Sequence, residues 1–323
     1  MASQIPYVEA GLHRLGPETY TYLQPSGSWG LSNCGVIASD GAALLVDTLF
    51  TLPLTQRMLA AVAAQLPAAR ISTVVNTHAN GDHCWGNQLL PGAEIISSQA
   101  THDGMEREIP PAAMAAMTRD TEPDSPMGAY MRQFFGDFDF SGIQLTKATR
   151  TFSGTTRLSV GAREVELIEV GPAHTDGDVI VHVPDSGIVY AGDILFIGDH
   201  PVIWEEGSVD GWIAACDRIL ATGADTIVPG HGPVTDAEGV RDFREYLEYV
   251  SAFARRQFSR GTPYWVAAAG MDIELTDFAA WGHPERLVVT IGSIYQSLGA
   301  TVEGGRAEML DRMVRLHQER TKP

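Results

Sequence analysis

Residues 77–87 of the chain read Thr77-His78-Ala79-Asn80-Gly81-Asp82-His83-Cys84-Trp85-Gly86-Asn87. Two imidazoles, a carboxylate and a carboxamide fall directly after the apolar run 71–75, which is typical of a strand. An extended chain would direct positions 78, 80 and 82 to one side, and the glycine at position 81 permits a turn that brings His83 to join them. A divalent metal ion is the simplest way to satisfy so many polar groups at the end of a buried strand.

The composition describes a globular chain with a strong excess of acidic residues. Its 323 residues are 44% hydrophobic and 19% charged, enough for one elaborated domain or two. A net charge of -18 disfavours nucleic acid as a partner. Three cysteines do not indicate a disulfide framework, residues 1–10 lack the features of a signal peptide, and no apolar run is long enough to cross a bilayer. We therefore expect a cytoplasmic protein that binds neither nucleic acid nor membranes.

Strands and helices alternate around the opening stretch, and strands dominate again after residue 150. The order of the first elements predicts a layered α/β sandwich. The predicted elements are a hairpin of residues 31–38 and 42–46, a helix over 52–65, a short helix from Trp85, a strand over 94–97, hairpins of 157–160 with 164–170 and of 179–183 with 188–191, a helix over 209–221 and a strand over 226–228.

Two further regions differ in character from the sandwich. Methionines and phenylalanines lie among prolines and acids between about residues 100 and 150, which predicts short helices that form a cap. Those side chains would either line an adaptable apolar pocket or form the ordinary core of the insertion. Helices are predicted over 240–260, 284–298 and 306–320, where they would brace the sandwich, mediate formation of a homo-oligomer, or both.

Five predicted strands end in polar residues. Loops at one edge of a sheet can converge while the strands fix their origins, so such edges commonly hold sites. Histidines from separate segments, together with aspartates, suffice for one or two divalent ions. The polar groups are Asp47, the stretch from His78 to His83, His174, Asp193 and His231.

With these motifs in this order, the chain resembles the metallo-β-lactamase-fold superfamily from about Asn33 to Pro233. The resemblance implies an αββα four-layer sandwich of two similar halves with metals at one edge. We expect a catalytic domain over residues 1–235, including the cap insertion, and a helical extension over 236–323 packed on it. The motifs are Leu44-Leu45-Val46-Asp47, Thr77 to His83, Gly171-Pro172-Ala173-His174-Thr175, Tyr190-Ala191-Gly192-Asp193 and Val228-Pro229-Gly230-His231.

The resemblance also implies a role for each polar residue of the motifs. His78 and His174 would belong to a first metal site, and Asp193 would bridge it to the second. Asp47 would support the loop from outside the ligand set, as carboxylates near metal sites often do. Asp178 would either orient His174 or serve only as a turn residue. The second site would be formed by Asp82, His83 and His231.

The chain departs from the family at Asn80, where histidine is usual. A carboxamide oxygen is a neutral and harder donor than imidazole, and suits zinc less well. Asn80 would ligate through its oxygen, leave an open position for water, or leave the first site empty. We expect one or two zinc ions, held more tightly at the second site, with iron or manganese as alternatives.

The predicted function is a metal-dependent hydrolase acting on an ester, thioester, lactone or amide of a small, fairly apolar metabolite. A metal-bound hydroxide would attack the scissile carbonyl, and Asp82 and Asp193 would be the catalytic carboxylates. The first alternative is an iron-dependent oxidoreductase or lyase-type enzyme on the same scaffold, which the oxygen donor of Asn80 favours. A non-catalytic metal-binding protein is the second alternative.

Overall fold

We describe the fold from a computed structural model, which covers residues 9–25, 28–204, 206–274, 278 and 280–321. Two segments that carry predictions lie outside the described residues. They are residues 1–8, on which the expectation about a signal peptide rests, and residues 322–323 at the end of the predicted helical extension.

The first half of the chain forms a seven-stranded mixed sheet in sequential order. Neighbouring strands are antiparallel from β1 to β4 and parallel from β4 to β7. The predicted hairpin is confirmed, and its turn at Asp40 and Gly41 has positive φ at both residues, as a two-residue hairpin turn requires. The strands are β1 (Gly11–Gly16), β2 (Thr19–Leu23), β3 (Cys34–Ser39), β4 (Ala42–Val46), β5 (Arg70–Val75), β6 (Glu94–Ser98) and β7 (Arg150–Phe152).

The second half forms a five-stranded sheet in the order β12-β11-β10-β9-β8. Its strands are antiparallel except for the parallel pair β11 and β12. Both predicted hairpins are present, and two strands run further than predicted, into the motifs that end in Asp193 and His231. The strands are β8 (Thr155–Val160), β9 (Arg163–Glu169), β10 (Val179–Val183), β11 (Ile188–Phe196) and β12 (Thr226–His231).

Three hydrophobic cores separate four layers. Successive residues of β4 point to opposite faces of the sheet: Leu44 and Val46 pack between the two sheets, whereas Leu45 packs on the outside. The outer face of the first sheet is covered by Met58 and Val62. The third core joins the outer face of the second sheet to the remaining helices. The αββα sandwich is thereby confirmed.

The helices on both outer faces follow the predicted positions closely. The helix over 52–65 is confirmed at both ends, with Thr51 as its N-cap. One helix in the C-terminal region, α8, was not predicted. The helices are α1 (Leu52–Gln65), α2 (Gly81–Cys84), α3 (Gln99–Gly104), α4 (Pro111–Asp120), α5 (Pro126–Phe135), α6 (Val209–Leu220), α7 (Ala237–Ser259), α8 (Tyr264–Glu274), α9 (Leu287–Ser297) and α10 (Gly305–Thr321).

The insertion and the C-terminal helices lie against the sandwich and against each other. Helix α10 contacts α5, and both contribute to the core that covers the second sheet. The C-terminal helices therefore brace the sandwich, while their part in self-association and the domain limits stay predictions. Among the described residues no helix combines the length and apolar character needed to cross a membrane.

Candidate metal centre

The polar residues of the motifs meet at one edge of the sandwich, and each sheet supplies part of the group. The first sheet provides the turn after β5, and the second provides the loop between β9 and β10, the middle of β11 and the end of β12. All these side chains are buried or nearly so, apart from the half-buried Asn80. The residues brought together are His78, Asn80, Asp82, His83, His174, Asp193 and His231.

The backbone of residues 78–82 was predicted to be extended, and this prediction is wrong for the residues after Asn80. Asn80 is the N-cap of α2, so Asp82 and His83 lie on a helical turn. Successive residues of a helix differ by about 100° in direction, so these two diverge from the side chains before them. The short helix expected from Trp85 therefore begins earlier, at Gly81, and a separate 3-10 turn spans Asn87–Leu89.

Four ligand-type atoms form a first cluster. The Oδ1 atom of Asn80 lies 3.0 Å from Nε2 of His78 and 2.9 Å from Nε2 of His174. The Oδ2 atom of Asp193 lies 3.6 Å and 3.4 Å from the same two nitrogens. The first cluster therefore contains the residues expected for a first metal site, including Asn80.

A second cluster adjoins the first through Asp193. The Nε2 atom of His231 lies 3.4 Å from both Oδ2 of Asp82 and Oδ2 of Asp193. The Nε2 atom of His83 lies 3.5 Å from Asp82 and 3.1 Å from Oδ1 of Asp193. Both clusters combine ligand-type atoms from the two sheets.

In His78 and His174, Nδ1 is the ring nitrogen that faces away from the clusters. The hydrogen bonds that Nδ1 makes show which nitrogen of each ring carries a proton. The Thr77 hydroxyl donates to Asp47 Oδ2 at 2.7 Å, so its oxygen accepts from Nδ1 of His78 at 3.0 Å. Burial, and then the nearby His83, hold the pKa of His78 well below its usual value, so its ring is neutral and Nε2 presents a lone pair. Nδ1 of His174 donates to the Val202 carbonyl at 2.9 Å, which leaves its Nε2 facing Asn80 and Asp193.

Asp47 orients His83 in the same way. Its Oδ2 accepts from Nδ1 of His83 at 2.9 Å, and its Oδ1 accepts from the Thr77 backbone N–H at 2.7 Å. Asp47 is fully buried and has a φ of 62°, a conformation that Asp and Asn tolerate better than most residues. These contacts match the supporting role expected of Asp47, although its effect on a metal stays a prediction.

The amide of Asn80 is oriented by Glu108, a residue that the sequence did not indicate. The Asn80 side chain donates a hydrogen bond to the Glu108 carboxylate, so its nitrogen faces outward and its oxygen faces the imidazoles. Burial, and then the neighbouring Glu206, raise the pKa of Glu108 to about 7. Glu108 lies in the cap insertion, and no motif or spacing connects it to the histidines.

The arrangement of lone pairs fits a bound cation. Among the described residues, Nε2 of His83 and Oδ1 of Asp193 are buried without a hydrogen-bond partner, although they lie only 3.1 Å apart. Ligands about 2.0–2.1 Å from a tetrahedral zinc ion are about 3.3–3.4 Å from each other, and the separations in the second cluster lie close to this value. The described His and Asp groups can therefore hold a metal ion.

Electrostatics indicate the same need for positive charge. Burial alone would lower the pKa values of His83 and His231, but the Asp193 carboxylate, with help from Asp82, outweighs it and raises the pKa of His231 to about 9. Burial of Asp193 is likewise outweighed, chiefly by His83, so the pKa of Asp193 lies well below its usual value. Without an ion, protons on the imidazoles balance these carboxylates, and an ion would replace them.

Asp178 does not orient His174 directly, so this expectation is corrected. Its two carboxylate oxygens accept from the backbone N–H and the hydroxyl of Thr175, at 2.8 Å and 2.9 Å. A carboxylate that caps its own loop in this way has no oxygen directed at the imidazole, whose Nδ1 is instead held by Val202. Asp178 therefore fixes the loop that carries His174.

A cavity of about 190 Å³ opens onto the clusters. Its wall includes Met114, Met117, Met127 and Met131 from the insertion, which favours the pocket interpretation for these methionines. Other residues of the insertion, such as Phe134, pack in the core instead. Aromatic rings and one arginine, Arg286, also line the cavity, and the sequence did not single out Arg286. The aromatic residues of the lining are Trp29, Phe50, Trp85, Tyr130, Phe135, Phe196 and Trp204.

The sequence model of the metallo-beta-lactamase superfamily matches residues 27–231 of this chain. The match covers more than half of the chain and includes every residue of the two clusters. The chain belongs to the metallo-beta-lactamase superfamily and is an enzyme of that class.

Individual relatives are distant. A curated relative, 2,4-dinitroanisole O-demethylase subunit alpha from Nocardioides sp. (strain JS1661), is 25% identical over 198 residues, which are 60% of this chain and 51% of that protein. This chain therefore spans about half the length of that relative.

Solved structures confirm the fold at low sequence identity. A metallo-beta-lactamase from Pontibacter korlensis is 17% identical, with a TM-score of 0.55 over 74% of this chain and 99% of that chain. The sec-alkylsulfatase Pisa1 from Pseudomonas sp. is 16% identical, with a TM-score of 0.68 over 93% of this chain and 52% of that chain. Because the family match ends at residue 231, the second likeness also includes part of the C-terminal helices.

Proposed function

We propose that the chain is a metal-dependent hydrolase of a small molecule with an apolar body. The observation that carries this proposal is the set of lone pairs in the two clusters, which converge beside a cavity walled by methionine and aromatic side chains. Cavities with an apolar wall and a few convergent polar groups are typical of small-molecule sites. Zinc is the ion we favour, with iron or manganese as alternatives.

The side chains of the clusters have separate tasks in such a reaction. A bound divalent ion supplies Lewis acidity and lowers the pKa of a bound water to about 7. Asp82 lines the cavity, so its carboxylate can orient the attacking water and accept a proton. Asp193 lies between the clusters and fixes their spacing. His78, His83, His174 and His231 would bind the ions, together with the Asn80 oxygen.

The scissile bond in this proposal joins carbon to oxygen, sulfur or nitrogen in an ester, thioester, lactone or amide. The names of two relatives, an O-demethylase and an alkylsulfatase, describe reactions at an oxygen substituent, and they support an oxygen ester as the first choice. A cavity of about 190 Å³ supports a small substrate rather than a macromolecule.

An iron-dependent oxidoreductase or lyase-type reaction is the second candidate. It is favoured by Asn80, because an amide oxygen suits iron better than it suits zinc. A non-catalytic role is less well supported, since the clusters lie on the wall of a cavity rather than in a closed structural site.

The test combines elemental analysis with an activity screen. Protein purified without added metal is analysed for zinc, iron and manganese, and the zinc-loaded protein is assayed with matched aryl and alkyl esters, thioesters, lactones and amides. We expect hydrolysis that is abolished by a chelator and by His83→Ala. The variant His182→Ala should still hydrolyse the substrate, because His182 pairs with Glu166 outside the clusters. Iron as the native metal without hydrolysis would favour the second candidate. Hydrolysis that survives chelation and His83→Ala would refute the proposal.

A further inference from the structure

The wall of the cavity contains the buried guanidinium of Arg286, which has no ionic partner in the part of the chain that the structure describes. Arg286 is only 4% exposed, and it lies in the 3-10 turn Pro284–Arg286 before α9. Its Nη1 donates to the His200 carbonyl at 3.2 Å, whereas its Nε has no hydrogen-bond partner. Among the residues that the structure describes, no carboxylate lies within ion-pairing distance of this guanidinium.

The neighbouring carboxylate is directed to other groups. Glu285 accepts from the Tyr130 hydroxyl at 3.1 Å, and its oxygens lie 3.4 Å from Nδ1 of His283 and 3.8 Å from Nδ1 of His317. The main contact of the Arg286 guanidinium is instead the face of Trp29, with 4.3 Å from its central carbon to the ring centre. The Arg286 guanidinium therefore makes no direct ion pair with the residue next to it.

An unpaired buried charge is unfavourable in a folded protein. Arginine cannot lose its proton, and burial of an ion costs several kcal/mol unless a counter-charge compensates. Stacking on an aromatic ring offsets only part of this cost. The remaining donors of the guanidinium therefore favour an anionic group that enters the cavity.

We propose that Arg286 binds an oxyanion of the substrate, so that the substrate is an apolar molecule with a carboxylate or sulfonate group away from the bond that is cleaved. The planar fork of the guanidinium suits such oxyanions. Met131 and Phe135 line the same cavity and supply apolar wall, and Asp82 and His231 line it at the metal clusters. This assignment rests on the proposed function for the identity of the reacting end, but not for anion binding itself.

Binding to matched probes tests the assignment without requiring turnover. The probes are 4-phenylbutyrate and its neutral amide, titrated into the metal-loaded full chain by calorimetry. We expect the wild type to prefer the carboxylate by about tenfold or more, and Arg286→Met to lose this preference while it still binds the amide. Arg286→Lys keeps the charge and should keep part of the preference.

The control is Arg312→Met. Arg312 also stacks on a tryptophan, 4.3 Å from the ring of Trp265, but it is paired with Glu308 and lies outside this cavity. We expect this variant to keep the wild-type preference. A wild type that binds both probes equally would overturn the assignment. An Arg286→Met variant that still prefers the carboxylate would also overturn it, because the anion would then be bound by the metal.

The outcomes separate this inference from the proposed function. Carboxylate preference that depends on Arg286, in a protein that hydrolyses none of the screened substrates, would support the anion site and count against hydrolysis. Hydrolysis of neutral esters that is unchanged in Arg286→Met, together with equal binding of the probes, would support hydrolysis and overturn the anion site.

Discussion

Asn80 shows how one side chain combines two environments. Its nitrogen donates to Glu108, and its oxygen faces the Nε2 atoms of His78 and His174. Of the three roles that the sequence left open for Asn80, this orientation favours ligation through oxygen. A neutral donor in the first cluster and the orphaned atoms of His83 and Asp193 in the second support tighter binding at the second site.

Replacement of Asn80 by histidine should strengthen the weaker site. A third imidazole in the first cluster supplies a donor that zinc prefers, so we expect the affinity of the weaker site to rise about tenfold or more. Competition with a chromophoric chelator and elemental analysis after dialysis would measure it. Glu108→Gln is the matched control because an amide there can still accept from Asn80. Equal affinities of Asn80→His and the wild type would show that the substitution is incidental.

Replacement of Asp47 by asparagine should weaken metal binding without disturbing the backbone. Asparagine tolerates a φ of 62° as aspartate does, but its amide cannot hold Nδ1 of His83 as a carboxylate does. Loss of such a partner typically costs about 10–100-fold in metal affinity. Chelator competition measures the affinity, and the circular dichroism of both metal-free proteins checks the fold. Unchanged affinity would mean that Asp47 only stabilises the loop.

The motifs in the sequence identify the cluster residues, but they do not identify the residues that orient or surround them. His78, His83, His174, Asp193 and His231 are recognisable because their types and spacing recur at strand ends. Glu108, Trp29 and Arg286 reach the same cavity from distant segments. Their positions depend on how the insertion and the C-terminal helices pack, which local periodicity does not encode.

At the scale of elements, the middle of β11 and the end of β12 form the tightest part of the centre. Gly230 of β12 approaches β11 so closely that an added Cβ would lie 1.9 Å from Oδ1 of Asp193. Asn33 holds the same loop, since its side chain donates to the carbonyls of Pro229 at 3.0 Å and Gly232 at 2.9 Å. The position of Asp193 therefore depends on two strands and on the segment before β3.

Replacement of Gly230 by alanine should displace Asp193 from both clusters. Because the clash is with the carboxylate itself and with the backbone beside it, we expect metal affinity to fall at least about tenfold. Gly270→Ala is the matched control, since it adds the same methyl group within α8, where no described atom lies within 4 Å of it. Retained metal affinity in Gly230→Ala would show that the strands can separate without loss of the site.

Local patterns predicted the elements well where one physical signal dominated. The helix over residues 52–65 has apolar residues at helical spacing and a proline at position 67 shortly after it, and both of its ends were predicted correctly. Helix α8 was missed because its run of alanines and aromatic residues shows no clear polar face. The helical turn that begins at Gly81 was wrongly predicted as extended backbone. The short polar residues on either side of it, Asn80 and Asp82, permit either conformation, and the tertiary contacts decide between them.

At the scale of the whole molecule, buried polar contacts join the C-terminal helices to the sandwich. His200 is fully buried after β11, where its Nδ1 lies 2.8 Å from the Tyr246 hydroxyl of α7. Burial, and then the nearby Arg286, lower the pKa of His200 to about 3. The unfolded chain, in which this pKa lies near 6.5, therefore binds an extra proton between about pH 3 and 6.5.

Stability should consequently fall as pH decreases through this window. At pH 5 the extra proton on His200 in the unfolded chain lowers the free energy of unfolding by on the order of 2 kcal/mol. This loss vanishes above about pH 6.5. Urea unfolding at pH 7.5 and pH 5.0 should show that the wild type loses about that much more stability than His200→Gln, which cannot be protonated. Equal losses in both proteins, measured at equal metal content, would contradict the assignment.

Each cluster draws its atoms from both sheets, and this has a consequence for how the chain can be divided. A fragment ending after β7 would carry Asn80, Asp82 and His83, and the remainder would carry His174 and His231, so neither piece contains a complete set of metal ligands. The free energy of metal binding then becomes available for reassociation of the two pieces. A chain cut in the loop before β8 could therefore serve as a two-component reporter in which the metal is the signal for reassembly.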